Sequence, residues 1–353
     1  MFYCIATTRG FDNLAGFPMQ TVPTLLLLGI GRWGSNHLRV LQSLPIELFV
    51  ADTEIKRLES ARAAGLESSH LTTQYRDFAA TVDAAVVVTP APSHFSLCRE
   101  LLEGGKDVFV EKPITLQSSE AKKLAELAAQ KNRLLQVGHI FRFDPASQWL
   151  REAVQQGKFG RLRILRGNFS GFKRPRNDSG VTFADAIHFI DLFNFFLGKP
   201  PLRVSATMRD FMRRGMEDES LITMDYDGAV WATVTTGYHS PGKFRTVEVI
   251  GDELSAVCDY NVAQYKIKTY RNHHLSDGND FKAVEGEMRQ LEFPPEEPLL
   301  GELRAFISSL KTRRQPLADA WAGYEAVRVI EAAMESARSG RIVELERNGN
   351  EAK

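Results

Sequence analysis

Thr24-Leu-Leu-Leu-Leu-Gly-Ile-Gly-Arg-Trp-Gly34 is the stretch on which the fold turns. Its leucines form a run too short for a helix and apolar on both faces, as expected of a strand buried inside a parallel sheet. Gly29, Ile30, Gly31, Arg32, Trp33 and Gly34 then form a G-x-G-x-x-G turn. Its glycines stand where a chain turns tightly, lets its backbone approach a pyrophosphate, and packs the next helix on the sheet. The positive N-terminal end of that helix would receive the phosphates. Alone the motif is weak. It gains force from Asp52, at the end of the next apolar run and 18 residues beyond Gly34. A carboxylate there accepts the ribose hydroxyls of NAD and repels the 2′-phosphate of NADP. NAD is the expected cofactor and NADP the disfavoured one, with Arg32, Lys56 and Arg57 as nearby cations that could soften the choice.

Outward from this turn, apolar runs predict strands at 24–28, 47–51, 84–88, 107–110 and 134–137, with helical patterns at 93–103 and 118–131 between them. Alternating strands and helices of this kind build a doubly wound α/β domain. Past Phe143 the pattern changes. A helix is expected at 145–156, then alternating runs at 161–169, 202–211, 221–226 and 229–238, separated by turns such as Asp227-Gly228 and Gly251-Asp252. Helices at 185–197, 299–312 and 319–339 complete an α+β region. The expected division is an extension (1–22), a Rossmann domain (23–143), an α+β substrate and oligomerisation domain (144–343) and a polar tail (344–353).

At 353 residues the chain exceeds what one core usually organises, which agrees with two domains. Basic and acidic residues balance at 44 each, so no net field draws the protein to nucleic acid or to an acidic membrane. Cys4, Cys98 and Cys258 are odd in number and lack metal-ligand spacing, so neither a disulfide framework nor a cysteine-built metal site is expected. No apolar run approaches the ~20 residues of a membrane span. The extension lacks a signal-peptide core, with Met19 an alternative start, and the cytoplasm is the expected compartment.

Glu111-Lys112-Pro113 follows the strand at 107–110, on the carboxyl edge where doubly wound sheets place ligands. Taken alone, a lysine after a strand is as well explained as a solvated surface group. Asp185 and His188 lie three apart on an expected helix, so both side chains leave one face. Imidazole titrates near neutrality and suits removal of a proton from a hydroxyl. A surface ion pair or half a metal site would share the spacing, although a metal lacks further ligands.

These pieces, in this order, resemble the Gfo/Idh/MocA family of oxidoreductases. The likeness runs from about residue 24 to 343. It rests on Gly29 to Gly34, Asp52, Val88-Thr89-Pro90 with His94, Glu111-Lys112-Pro113, the segment 138–143, and Gly180 with Asp185, His188 and Asp191. The resemblance implies a Rossmann domain followed by an open, mainly antiparallel sheet whose face joins copies of the chain, as a homodimer or homotetramer. It implies Lys112, Asp185 and His188 as the catalytic set and Thr89, His94 and Glu111 along the cofactor. Ser179 departs from the pattern, where many members have a second glycine. The segment 138–145 is similar to that of members acting on nucleotide-linked amino sugars or their uronic acids. His139 and Arg142 then read as substrate-binding, or equally as hinge residues between domains.

The expected chemistry is oxidation of a secondary hydroxyl of a sugar or sugar derivative, with His188 taking the proton and Lys112 polarising the oxygen. Asp185 is expected to orient His188 or the substrate and to favour the imidazolium. Lys173, Arg174 and Arg176 form a basic loop that either holds an anionic group of the substrate or is simply solvated. The rival expectation is a non-catalytic, dinucleotide-sensing regulator on the same fold. The retention of Lys112 with His188 argues for the enzyme.

Overall fold

The computed structural model describes residues 22–346. Most of the extension and the last seven residues, with the expectations about Cys4 and Met19, lie outside this range. The first half alternates β1 (Thr24–Leu28), α1 (Gly34–Gln42), β2 (Glu47–Ala51), α2 (Ile55–Ala63), β3 (Leu71–Thr72), α3 (Arg76–Ala79), β4 (Ala84–Val87), α4 (His94–Glu103), β5 (Asp107–Glu111), α5 (Ser118–Gln130) and β6 (Leu135–Gly138). All pairings are parallel, in the order β3-β2-β1-β4-β5-β6. That order is the doubly wound arrangement, reversing direction at β1 and β4. Sequence periodicity predicts five of these strands. The sixth, β3, is two residues long, too short to leave a pattern, and is held by its pairing with Val50 and Ala51.

The second half contains α6 (Pro145–Gln155), β7 (Leu162–Ser170), α7 (Ile187–Leu197), β8 (Arg203–Arg209), β9 (Glu219–Tyr226), β10 (Val230–Gly237), β11 (Phe244–Gly251), β12 (Ser255–Asp259), β13 (Ile267–Tyr270), β14 (His273–Asp277), β15 (Asp280–Val284), β16 (Met288–Leu291), α8 (Pro298–Thr312), α9 (Ala320–Ser339) and β17 (Val343–Glu344). A nine-stranded open sheet runs β16-β13-β12-β11-β7-β10-β9-β8-β17, antiparallel except where β10 joins β7. Its inner face packs on α7, whose buried Phe189, Phe193 and Phe196 fill the space beneath the strands. The chain stays paired through Glu344, and Leu345 N donates to Leu202 O, so pairing continues past the expected start of the polar tail.

The two halves share their cores. Leu299, Leu303, Phe306 and Ile307 of α8 pack with Leu25, Leu27, Val86 and Phe109 of the parallel sheet. Helix α9 packs on α5 and β8 together, and Val137 N of β6 donates to Ala318 O just before it. The C-terminal helices therefore clamp the second half onto the first, which fixes the crevice between them.

Candidate active site

The glycine turn is shaped by backbone demands. Gly29 adopts φ +86°, and a Cβ there would lie 3.0 Å from Val88 O and 3.1 Å from Thr89 Cγ2. A Cβ on Gly34 would come within 2.1 Å of Gly29 O, so α1 reaches the strand end only without one. Gly31 differs: nothing but the Arg57 guanidinium comes within 4 Å, and its outer side is open to a ligand. Asp52 is buried, with Oδ2 accepting from Ile30 N at 2.8 Å and Oδ1 from Glu54 N at 2.9 Å. Arg57 Nη1 stands 3.4 Å from both oxygens. A helix N-terminus, an open glycine and an adjacent carboxylate fit the pyrophosphate and ribose of a nicotinamide dinucleotide. Arg32 and Trp33 are exposed beside the turn.

At the end of β5, Glu111 is buried and accepts from Trp33 Nε1 at 2.7 Å, with His37 Nε2 2.8 Å away. Burial opposes its charge, but His37, Trp33 and Lys112 together hold the carboxyl below its ordinary value. The carboxylate thus ties the glycine helix to the loop that carries Lys112. The Lys112-Pro113 peptide is cis. Lys112 Nζ crosses to the second half and donates to Ala184 O at 2.5 Å. Burial pushes its ammonium down to about 8, against the opposing field of Asp185.

Residues 182–186 form a π-helical turn that leads into α7. Asp185 lies in that turn and His188 in the α-helix, so the expectation of one regular helix from 185 is corrected: the wider turn changes the angle between the two side chains. The expected partnership is corrected as well. Lys173 Nζ donates to Asp185 Oδ1 at 2.8 Å and lies 2.7 Å from Oδ2, and the side chain of His188 has no hydrogen bond to Asp185. His188 instead stacks on Phe169, ring centroids 5.2 Å apart, with Phe141 edge-on at 5.1 Å. Burial first, then the charges of Lys112, His139, Arg245 and Lys173, hold the imidazole well below its ordinary value.

The other expected residues have partners of their own. His94 is buried, its ring nitrogens 2.8 Å from Pro113 O and from Thr89 O, so it braces the Lys112 loop against the end of β4. Thr89 Oγ1 is engaged with Ser93. Arg142 makes a buried bidentate pair with Asp191 and donates to Leu317 O at 2.7 Å. His139 lies 3.6 Å from the same aspartate. Arg142 thus faces the seam between the halves, as in the hinge reading, whereas neither ring nitrogen of His139 has a hydrogen-bond partner among the described residues. In the basic loop Lys173 turns inward to Asp185, Arg176 pairs with Asp178, and Arg174 is exposed.

Sequence reasoning missed Phe169, Tyr238 and Arg245. Phe169 touches His188, and its ring carries Arg245 at 3.5 Å and Lys173 at 5.3 Å. Tyr238 is buried, with Lys173 Nζ 5.4 Å from the centre of its ring. Inward alternation along β7 marks Phe169 as core, and nothing local separates a core phenylalanine from one stacked on His188.

Two family models match the chain. One, described as an oxidoreductase family with an NAD-binding Rossmann fold, covers residues 24–139; the other, the oxidoreductase family's C-terminal alpha/beta domain, covers 151–345. The inositol 2-dehydrogenase of Rhizobium meliloti is 29% identical over 57% of this chain and 62% of its own length. The chain thus spans a little over three-fifths of that relative. The scyllo-inositol 2-dehydrogenase (NAD(+)) of Bacillus subtilis is 29% identical over 71% of this chain and 75% of its own. In fold, the chain is similar to a levoglucosan dehydrogenase solved with NADH and levoglucosan, with TM-score 0.80 and 19% identity over 93% of this chain and 100% of that one. With a parallel six-stranded nucleotide-binding half, a mostly antiparallel sheet beyond it and both family models matched in order, the chain belongs to the Gfo/Idh/MocA oxidoreductases.

Proposed function

We propose that this protein oxidises a secondary hydroxyl of a sugar or cyclitol, reversibly, with NAD rather than NADP. The observation that carries this is the reach of Lys112 from the end of β5 to Ala184 O, which joins the nucleotide-binding crevice to the turn bearing Asp185 and leading to His188. Gly29, Gly31 and Gly34 would hold the pyrophosphate and Asp52 the ribose; when bound, NAD supplies the hydride acceptor. Asp52 faces the turn through Ile30 N, which supports a ribose diol over a 2′-phosphate, and Arg57 beside it works against the preference.

The protonation states suit the division of labour. Near pH 7 His188 is neutral and can take the hydroxyl proton, while Lys112, titrating at about 8, is still mostly ammonium. A positive charge at the substrate oxygen stabilises the developing alkoxide more than the neutral alcohol, which is what lowers a barrier. Asp185 acts on the substrate side by holding Lys173. The names of the relatives, inositol and levoglucosan dehydrogenases, support polyhydroxylated rings as the substrate class. We also assign the outer face of the open sheet, where Leu221 and Trp231 are exposed on neighbouring strands, to contact with a second copy. Turnover of a panel of cyclitols, aldoses and sugar acids with NAD and with NADP tests the function. Binding of the dinucleotide with no turnover of any panel member would favour the sensing regulator instead.

A further inference from the structure

Strand β11 presents Val249, Val247 and Arg245 on the inner face of the sheet, and both valines are fully buried. An arginine closing a row of core valines breaks the alternation that builds the sheet, and a charge brought to a core face needs compensation. Its register places it: Arg245 is the direct cross-strand partner of Phe169. Its guanidinium lies 3.5 Å from the centre of that ring, and His188 stacks on the same ring at 5.2 Å. Lys173 Nζ stands 5.3 Å from it. Two cations and the catalytic imidazole therefore share one benzene ring.

The charges around the ring do not balance. Asp185 is bonded to Lys173 and its field also reaches Arg245, Arg176 is paired with Asp178, and no carboxylate among the described residues forms an ion pair with Arg245. Arg245 Nη1 donates to Ser170 O and Phe244 O, which orients the group. Nε and Nη2 make no hydrogen bond within the described protein. These two nitrogens form the guanidinium edge that grips a planar carboxylate with two parallel bonds.

We propose that Arg245, with Lys173 beside it, forms an anion subsite at the reacting centre that selects a sugar bearing a carboxylate on its own carbon skeleton. The assignment rests on the sugar-oxidising reading and sharpens it, since the inositols and levoglucosan named for the relatives are uncharged. Because Phe169 joins the subsite to His188, the anion belongs close to the reacting hydroxyl.

Calorimetric titration of the full chain saturated with NADH tests this. The probes are D-glucuronate and D-galacturonate, the matched D-glucose and D-galactose, and D-glucose 6-phosphate. At least one uronate is expected to bind tenfold or more tightly than its aldose, with the preference weakening as salt rises. Arg245→Leu should bring the acid-to-aldose ratio close to one, and Arg245→Lys, with charge but no fork, should restore part of it. Arg245→Gln gives the same reading should the leucine variant fold poorly. Equal binding of acids and aldoses by the wild type, a preference that survives in Arg245→Leu, or stronger binding of the phosphate than of both uronates would each overturn the assignment. The readout is binding, so it is separable from catalysis. A uronate preference that depends on Arg245 without turnover of any sugar would sink the oxidoreductase reading and keep the subsite, whereas turnover of neutral sugars without that preference would do the reverse.

Discussion

The glycine turn at residues 29–34 and the crossing between Lys112 and residues 182–188 are built in opposite ways. The turn is local: its geometry follows from three missing side chains and one carboxylate a strand away. The crossing draws on β5, β7, β11, α7 and the loop containing Lys173, separated by more than a hundred residues. At the turn, residue type states the requirement, because only glycine tolerates φ +86° or a carbonyl 2.1 Å from its Cβ position. At the crossing, residue type leaves several partners open. Register and packing choose among them.

The largest expected effect lies at the crossing. His188→Ala and Lys112→Met should each lower kcat by about 10² to 10⁴ while NAD affinity is retained, and the double variant should lose less than the product of the two. Near-normal turnover in His188→Ala, with chemistry rate-limiting, would make Lys112 the proton acceptor. Next comes the seam. Asp191→Ala strands the buried Arg142 guanidinium and should cost about 3 to 5 kcal/mol in urea unfolding. A change near zero would show that the seam relaxes and that the halves are less tightly clamped than their shared core implies.

The turn should respond less. Asp52→Asn should weaken NAD binding by about 1.5 to 3 kcal/mol and NADP binding by less. Tighter binding of NADP than of NAD by the wild type would reverse the cofactor assignment. Two glycines then separate packing from ligand contact. Gly34→Ala, with its Cβ against Gly29 O, should destabilise the fold by about 1 to 3 kcal/mol. Gly31→Ala, whose Cβ meets nothing closer than Arg57 at 3.9 Å, should leave stability unchanged and weaken NAD alone. Equal stability losses in both would mean that Gly31 also packs.

The smallest effect is a matter of pH. A catalytic Lys112 ammonium predicts a rate flat near neutrality that has fallen to about half at the pH where it titrates, about 8. No decline is expected on the acid side near the ordinary imidazole value of about 6.5, because burial keeps His188 neutral well below it. A rate that rises through pH 8 would show that neutral Lys112 is the base.

Much of the fold was legible. The glycine spacing, the apolar runs and the turns that separate hairpins name five strands of the first sheet and most of the helices. The missed strand β3 is two residues long, and the shared core was missed because α8 is amphipathic whichever half it covers. Of the site, Lys112 and His188 stood out as chemistry-bearing residues after a strand and on a helix. Their neighbours did not. The pair expected between Asp185 and His188 followed from helical spacing, and a π turn with Lys173 nearby redirects the carboxylate.

Sequence by itself determined the nucleotide-binding turn, the carboxylate beside it, the change from a parallel to a mainly antiparallel half and the chemical types available to a site. These are requirements on backbone conformation and short-range periodicity, and a chain records them residue by residue. Tertiary structure alone decided that α8 completes the first core, that Arg142 serves the seam, that Asp185 holds Lys173, and that Arg245 shares the ring beneath His188. Those facts depend on which distant strands and helices meet and in what register. A side chain's partner is set by that meeting, and its own identity states only what it could bind.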